Sequence, residues 1–125
     1  MSIGIDEALG VHARALDLRA QRSEILAANL ANEDTPGFQA RDLDFARELQ
    51  RVDAPFDIGD IGTSGDGKAV PQMLYRTPMQ PALDGNTVEL SVEQAAFSKN
   101  AMDFQTSLTF LDMKFRGLKQ AIEGR

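Results

Sequence analysis

The sequence contains no cysteine, no tryptophan and a single histidine, His12. Without thiols there is neither a disulfide nor a thiolate metal site. One imidazole would leave a zinc site resting almost wholly on carboxylates, so no metal is expected. No cysteine and no nucleophile stand beside His12, so no hydrolase triad can be assembled and His12 reads as an ordinary residue of a helix. No apolar run approaches the roughly 20 residues that cross a bilayer. Residues Met1 to Glu7 lack both a basic stretch and an uninterrupted apolar stretch, so no cleavable secretory signal is expected.

Basic excess is also absent. The net charge is −6, and the excess acid lies in the middle of the chain, where residues 33–91 hold eleven acids against five bases. Residues 1–32 and 92–125 are close to neutral. Neither end has the basic stripe that a phosphate backbone requires, which argues against nucleic acid. With 125 residues the chain has the size of one ordinary domain.

What is present begins with helix. Residues 6–32 are rich in alanine, leucine and arginine and hold no helix breaker beyond Gly10. Leu9, Ala13, Leu16, Ala20, Ala27 and Leu30 make one apolar stripe, with Val11, Ala15, Leu18 and Ile25 beside it. Two adjacent stripes give a wide face suited to more than one neighbour. Asp34-Thr35-Pro36-Gly37 then ends the helix, because proline cannot continue it and Pro36-Gly37 suits the central positions of a type II turn.

The middle segment is mixed. Asp44 is placed to cap a short helix in which Phe45, Leu49 and Val52 share a face. Residues 53–66 read as an acidic, glycine-rich loop. Met73 to Arg76 and Val88 to Leu90 read as two short strands joined by a turn at Asp84-Gly85-Asn86.

The last segment has the clearest pattern. Ser91-Val92-Glu93-Gln94 matches a capping box. Phe97, Ala101, Phe104, Leu108, Leu111, Phe115, Leu118 and Ile122 then alternate spacings of four and three, the signature of a coiled-coil seam. Gly124 stands where a helix stop belongs. The expected fold is therefore mainly α: two long terminal helices pairing as an antiparallel coiled-coil hairpin, with a small irregular or β middle segment. The segments are 1–32, 33–91 and 92–125. A single helix pair would leave Phe110 and Met113 facing water, so the architecture calls for partners.

Candidate chemistry is thin. Gly62-Thr63-Ser64-Gly65-Asp66-Gly67-Lys68 fits the start of a P-loop, but Ala69 stands where a magnesium-binding hydroxyl belongs and Pro71 follows closely. The aspartates at 53, 57, 60 and 66 lack EF-hand spacing. Asp42 and Asp44, beside Arg41, read as surface pairs or a cap. No catalytic, cofactor-binding or metal residue is expected.

Ala28-Asn29-Leu30-Ala31-Asn32-Glu33-Asp34-Thr35-Pro36-Gly37-Phe38 resembles the N-terminal signature of flagellar axial proteins, which include rod, hook and hook-junction subunits. Gln39 to Phe45, Asp84 to Leu90, Glu93, Asn100 and the stripe from Phe104 to Ile122 resemble the proximal-rod members of the flagellar basal-body rod family. The resemblance implies a structural subunit that polymerises through its terminal helices into part of the drive shaft and export channel. It implies export through the flagellar type III apparatus without a cleaved signal, and a place in the periplasmic rod of the basal body. Implied partners are other rod subunits, the adaptor at the rod base and copies of the chain itself. The implied assembly interface is Leu9, Leu16, Ile25, Leu30, Phe97, Phe104, Leu108, Leu111, Phe115, Leu118 and Ile122. Asn29, Asn32, Pro36 and Gly37 would fix the corner. The rival reading is a helical chaperone or adaptor of the same export system.

Overall fold

The computed structural model describes residues 5–53 and 72–124; the acidic glycine-rich loop and the P-loop-like stretch lie outside the described residues. In chain order the elements are α1 (Ile5–Ala31), β1 (Arg41–Leu43), α2 (Phe45–Asp53), β2 (Met73–Tyr75) and α3 (Leu90–Glu123). The chain is thus mainly helical with a small two-stranded sheet, and both terminal helices fall within two residues of the spans read from sequence.

α1 ends as its sequence dictates. The Asn32 N–H is shared between the carbonyls of Ala28 and Asn29, both at 3.2 Å, and the Asn32 amide donates to Ala28 O at 2.7 Å. The Thr35 hydroxyl donates back to Asn32 Oδ1 at 3.1 Å. The turn that follows is closed by Phe38 N–H to Thr35 O at 3.3 Å, with Gly37 at φ 72°. A positive φ at the third position is what a type II turn requires and glycine supplies at least cost.

β1 and β2 pair antiparallel, with Arg41 opposite Tyr75 and Leu43 opposite Met73. Here the expected pairing of 73–76 with 88–90 is corrected. Residues 84–87 instead run along the other side of the 37–40 segment, through Gly37 N–H to Asp84 O and Thr87 N–H to Phe38 O, both 2.9 Å. The Thr87 hydroxyl accepts from Ala40 N–H at 2.7 Å. Val88 N–H bonds to Asn86 Oδ1 at 2.8 Å, an Asx-type turn that competes with strand pairing, and Leu90 is already helical.

The start of α3 is a second correction. The N-cap is Glu89, with extended backbone and no side-chain cap, so Ser91 lies inside the first turn. The Glu89 carboxylate is engaged elsewhere, accepting from Met79 N–H at 2.6 Å and Gln80 N–H at 3.2 Å. Gly124 closes the helix at φ 70°, its N–H donating to Gln120 O, a left-handed cap. Asp44 caps α2 as expected, accepting from Arg47 N–H at 3.3 Å.

α1 and α3 meet along most of their lengths. Asn29 touches Glu93, Ser23 touches Asn100, Arg19 touches Asp103, and the ring of His12 lies 5.1 Å from that of Phe110. Numbers fall along one helix as they rise along the other, so the helices run in opposite directions. Among the described residues the buried apolar side chains are Leu18, Leu26, Ala40 and Leu43, whereas Asn29, Glu48, Asn86, Glu93 and Asn100 are buried polar ones. This interior is keyed by polar groups, and most large apolar side chains lie outside it.

Candidate functional site

Two features follow from that inversion: a buried polar anchor that holds the elements together, and an apolar surface that the anchor leaves uncovered. The anchor is a chain of ion pairs and amides. Arg22 on α1 grips Asp42 on β1 with two parallel bonds, Nε to Oδ1 at 2.9 Å and Nη2 to Oδ2 at 3.1 Å. This forked geometry is the strong form of an arginine–carboxylate pair. Arg76, just past β2, donates to the same Asp42 Oδ2 at 2.7 Å and with its other nitrogen to Glu93 on α3. Glu93 accepts from the Asn29 amide at 3.0 Å. Asn29 also exchanges two hydrogen bonds with the backbone of Arg41, at 2.7 and 3.1 Å, and so acts as an extra strand partner for β1.

Four elements or their flanks therefore share one network with two arginines and two carboxylates. Glu93 is fully buried, which is tolerable only because both oxygens are bonded. Burial pushes the Asp42 carboxyl up, but the hydrogen bonds from Arg22, Leu43 N–H and Arg76, with the Arg22 charge, bring it below its ordinary value. The hydrogen bond to Asp42 raises Arg22 further, against its own desolvation. Asp42 is thus a half-buried clamp held by Arg22 and Arg76 rather than a surface partner of Arg41.

The corner residues Asn29, Asn32, Pro36 and Gly37 are brought together at the end of α1, and the structure adds a fifth. Asn86 is buried, and its amide nitrogen lies 3.0, 2.7 and 2.8 Å from the carbonyls of Asn32, Glu33 and Thr35. These carbonyls lie just past the end of α1, and those of Asn32 and Thr35 also accept the backbone N–H groups of Thr35 and Phe38. Gly85 has φ 77°, and a side chain there would meet Gly37 Cα at 3.8 Å, so the two glycine turns lie side by side at the corner.

The apolar surface runs along α3. Of the residues expected at an assembly interface, Leu9, Leu16, Ile25 and Leu30 on α1 and Phe104, Leu111 and Leu118 on α3 are partly buried. Phe97, Leu108, Phe115 and Ile122 are exposed. The line of α3 that meets α1 passes instead through Glu93, Asn100 and Asp103. Rotating the contact toward these residues leaves half of the expected seam exposed, together with Met113 and with Phe110, which still meets His12. Near its end, Phe115, Leu118, Lys119, Ile122 and Glu123 line a shallow apolar depression of about 300 Å³.

Sequence reasoning missed Arg22, Arg76 and Asn100 as working residues. Glu93 and Asn100 did leave a signal, because they stand one heptad apart on a polar line beside the apolar stripe. Arg76 left none, since its partners are distant in sequence. His12 sits partly buried against Phe110, an ordinary helical contact. Among the described residues no group of three His, Cys, Asp or Glu side chains converges as a metal set.

Comparison with known proteins adds an independent line. The family described as "Flagella basal body rod protein" matches residues 9–39. The flagellar basal body rod protein FlgB of Aeromonas hydrophila is 40% identical, covering 99% of this chain and 98% of its own length. FlgB of Cereibacter sphaeroides is 44% identical over 97% of this chain and 98% of its own. FlgB of Salmonella typhimurium (strain LT2) is 42% identical over 96% of each.

Proposed function

Since the chain belongs to the flagellar basal body rod family, among the FlgB proteins, it is a structural subunit of the flagellar proximal rod, and we propose that it polymerises through the outward faces of α1 and α3. The observation that carries the proposal is the apolar row Phe97, Leu108, Phe115 and Ile122, exposed along a helix whose inner line is polar. A large exposed apolar row of this kind marks an interaction surface rather than a solvated face.

On this reading α1 and α3 form an antiparallel coiled-coil hairpin that is completed only by neighbouring helices. The corner at 29–37 leads the chain from α1 into the middle segment, whose Asp42 and Arg76 are tied back to α1 and α3. Leu9, Leu16, Ile25 and Leu30 extend the same interface from α1. The neighbours are other rod subunits, the adaptor at the rod base and further copies of this chain. The chain reaches the periplasmic part of the basal body through the flagellar export apparatus. The role is mechanical, with no catalytic step.

The test is electron microscopy of basal bodies from cells lacking the chain. Membrane rings without rod or hook, restored by re-expression, are expected. A complete rod and hook in those cells would overturn the reading.

A further inference from the structure

The apolar pattern of the two long helices does not by itself fix how far one is slid along the other. On α3, Phe97, Phe104, Leu111 and Leu118 repeat every seven residues, and so do Ala101, Leu108, Phe115 and Ile122. On α1, Leu9, Leu16 and Leu30 share that period, with Ser23 at the remaining position. A slip of one heptad, about 10 Å at 1.5 Å per residue, would place apolar side chains on apolar side chains again. Something else must select the observed register.

Two polar residues on the inner line of α3 do not survive such a slip. Glu93 and Asn100 lie one heptad apart, and both are at 0% exposure. The Asn100 amide donates to Ser23 Oγ at 2.7 Å and to Arg19 O at 2.8 Å, while Arg19 Nη1 reaches Asp103 at 3.3 Å. Sliding α3 by seven residues in one direction would set Asn100 against Leu26 and Leu30, the residues seven beyond Arg19 and Ser23. It would also take Glu93 past the end of α1, away from Asn29. An amide buried without its partners costs about 1–3 kcal/mol.

Asn100 is buried without full hydrogen bonding. Its Oδ1 and the neighbouring Arg19 Nε are buried without a protein hydrogen-bond partner. A polar side chain kept at an interior heptad position despite such a cost is the known means by which paired helices fix their register.

We infer that Asn100, together with Glu93, keys the register of the α1–α3 pair, and that Asn100 trades stability for that selection. This concerns the pairing of helices within one chain, so it stands or falls separately from polymerisation.

The absence of cysteine makes the test clean. In the full chain, His12→Cys with Phe110→Cys reports the observed register, because the two rings are neighbours. His12→Cys with Gly117→Cys reports a one-heptad slip; a side chain at 117 meets nothing within 4 Å. Each pair is oxidised in dilute protein with and without Asn100→Leu. The 12/110 disulfide should dominate in the parent, and Asn100→Leu should raise the 12/117 yield at least several-fold while the thermal midpoint holds or rises. An unchanged pattern of cross-links in Asn100→Leu would overturn the inference. Should the leucine variant fail to fold, Asn100→Ala removes the same hydrogen bonds without added bulk, and the same two yields decide.

Discussion

The amide of Asn86 and the carbonyl of Asn32 are 3.0 Å apart across 54 positions of sequence, and through this contact the approach to α3 closes the end of α1. The same nitrogen serves Glu33 O and Thr35 O, so its two hydrogens are shared among three acceptors, while its Oδ1 takes Val88 N–H. Replacing Asn86 with alanine should therefore cost about 2–4 kcal/mol, from the several hydrogen bonds lost at a buried side chain. Urea unfolding followed by circular dichroism measures it. A loss under about 0.5 kcal/mol would show that water replaces the amide freely.

At Gly37 a different cost is isolated. A side chain there would meet nothing within 4 Å, so Gly37→Ala is penalised by backbone conformation alone. At φ 72° that penalty is roughly 1–2 kcal/mol. Gly37→Asn should lose less than Gly37→Ala, since asparagine tolerates the left-handed region. A smaller loss of unfolding free energy for Asn than for Ala is the readout; equal losses would mean the corner relaxes out of the turn.

The anchor predicts an acid limb. Asp42 has a folded pKa below its ordinary 3.8, so its contribution to stability is present above that value and is lost as pH falls through the folded one. Arg22 shifts in the opposite sense, upward, so its contribution is present throughout the acid and neutral range and is lost only at strongly alkaline pH. Asp42→Asn should lower stability at pH 7 by roughly 2–4 kcal/mol, because Arg22 and Arg76 are left half-buried without their carboxylate. It should also flatten the decline between pH 5 and pH 2 in thermal scans. A variant with an unaltered acid limb would place the acid sensitivity at another carboxylate.

Local signals in the sequence carried the fold a long way, and they failed where a decision was made at a distance. The helix periods, Pro36-Gly37, Asp44 and Gly124 act through neighbours within a turn, and each is found at its expected place. Residues 73–75 did form a strand, but their partner was chosen by Arg76, whose bonds to Asp42 and Glu93 join parts of the chain 34 and 17 residues away. Ser91-Val92-Glu93-Gln94 has the composition of a capping box, yet Glu93 is drawn into the anchor and the helix begins earlier. Heptad analysis picked out the apolar positions of α3 but not which line of the helix faces α1, because the polar contacts at Glu93 and Asn100 turn it.

That rotation yields the sharpest test of assembly. Leu111 is partly buried, so Leu111→Asp is expected to abolish motility, but it perturbs the subunit as well as its surface. Phe115 is 52% exposed and Leu108 43%, so an aspartate at either position should leave the fold of the subunit nearly intact. Surface substitutions away from packed sites usually change stability by no more than about 0.5 kcal/mol. In the rod, the same charge would be buried against a neighbouring helix, where an unpaired carboxylate costs several kcal/mol. Phe115→Asp and Leu108→Asp should therefore express and unfold like the parent yet fail to restore swimming to a strain lacking the chain. Thr109→Asp, exposed on another side of α3, is the control and should swim. Motile cells carrying Phe115→Asp would mean that this row faces solvent in the finished rod, and that the subunit is held by α1 or by the middle segment instead.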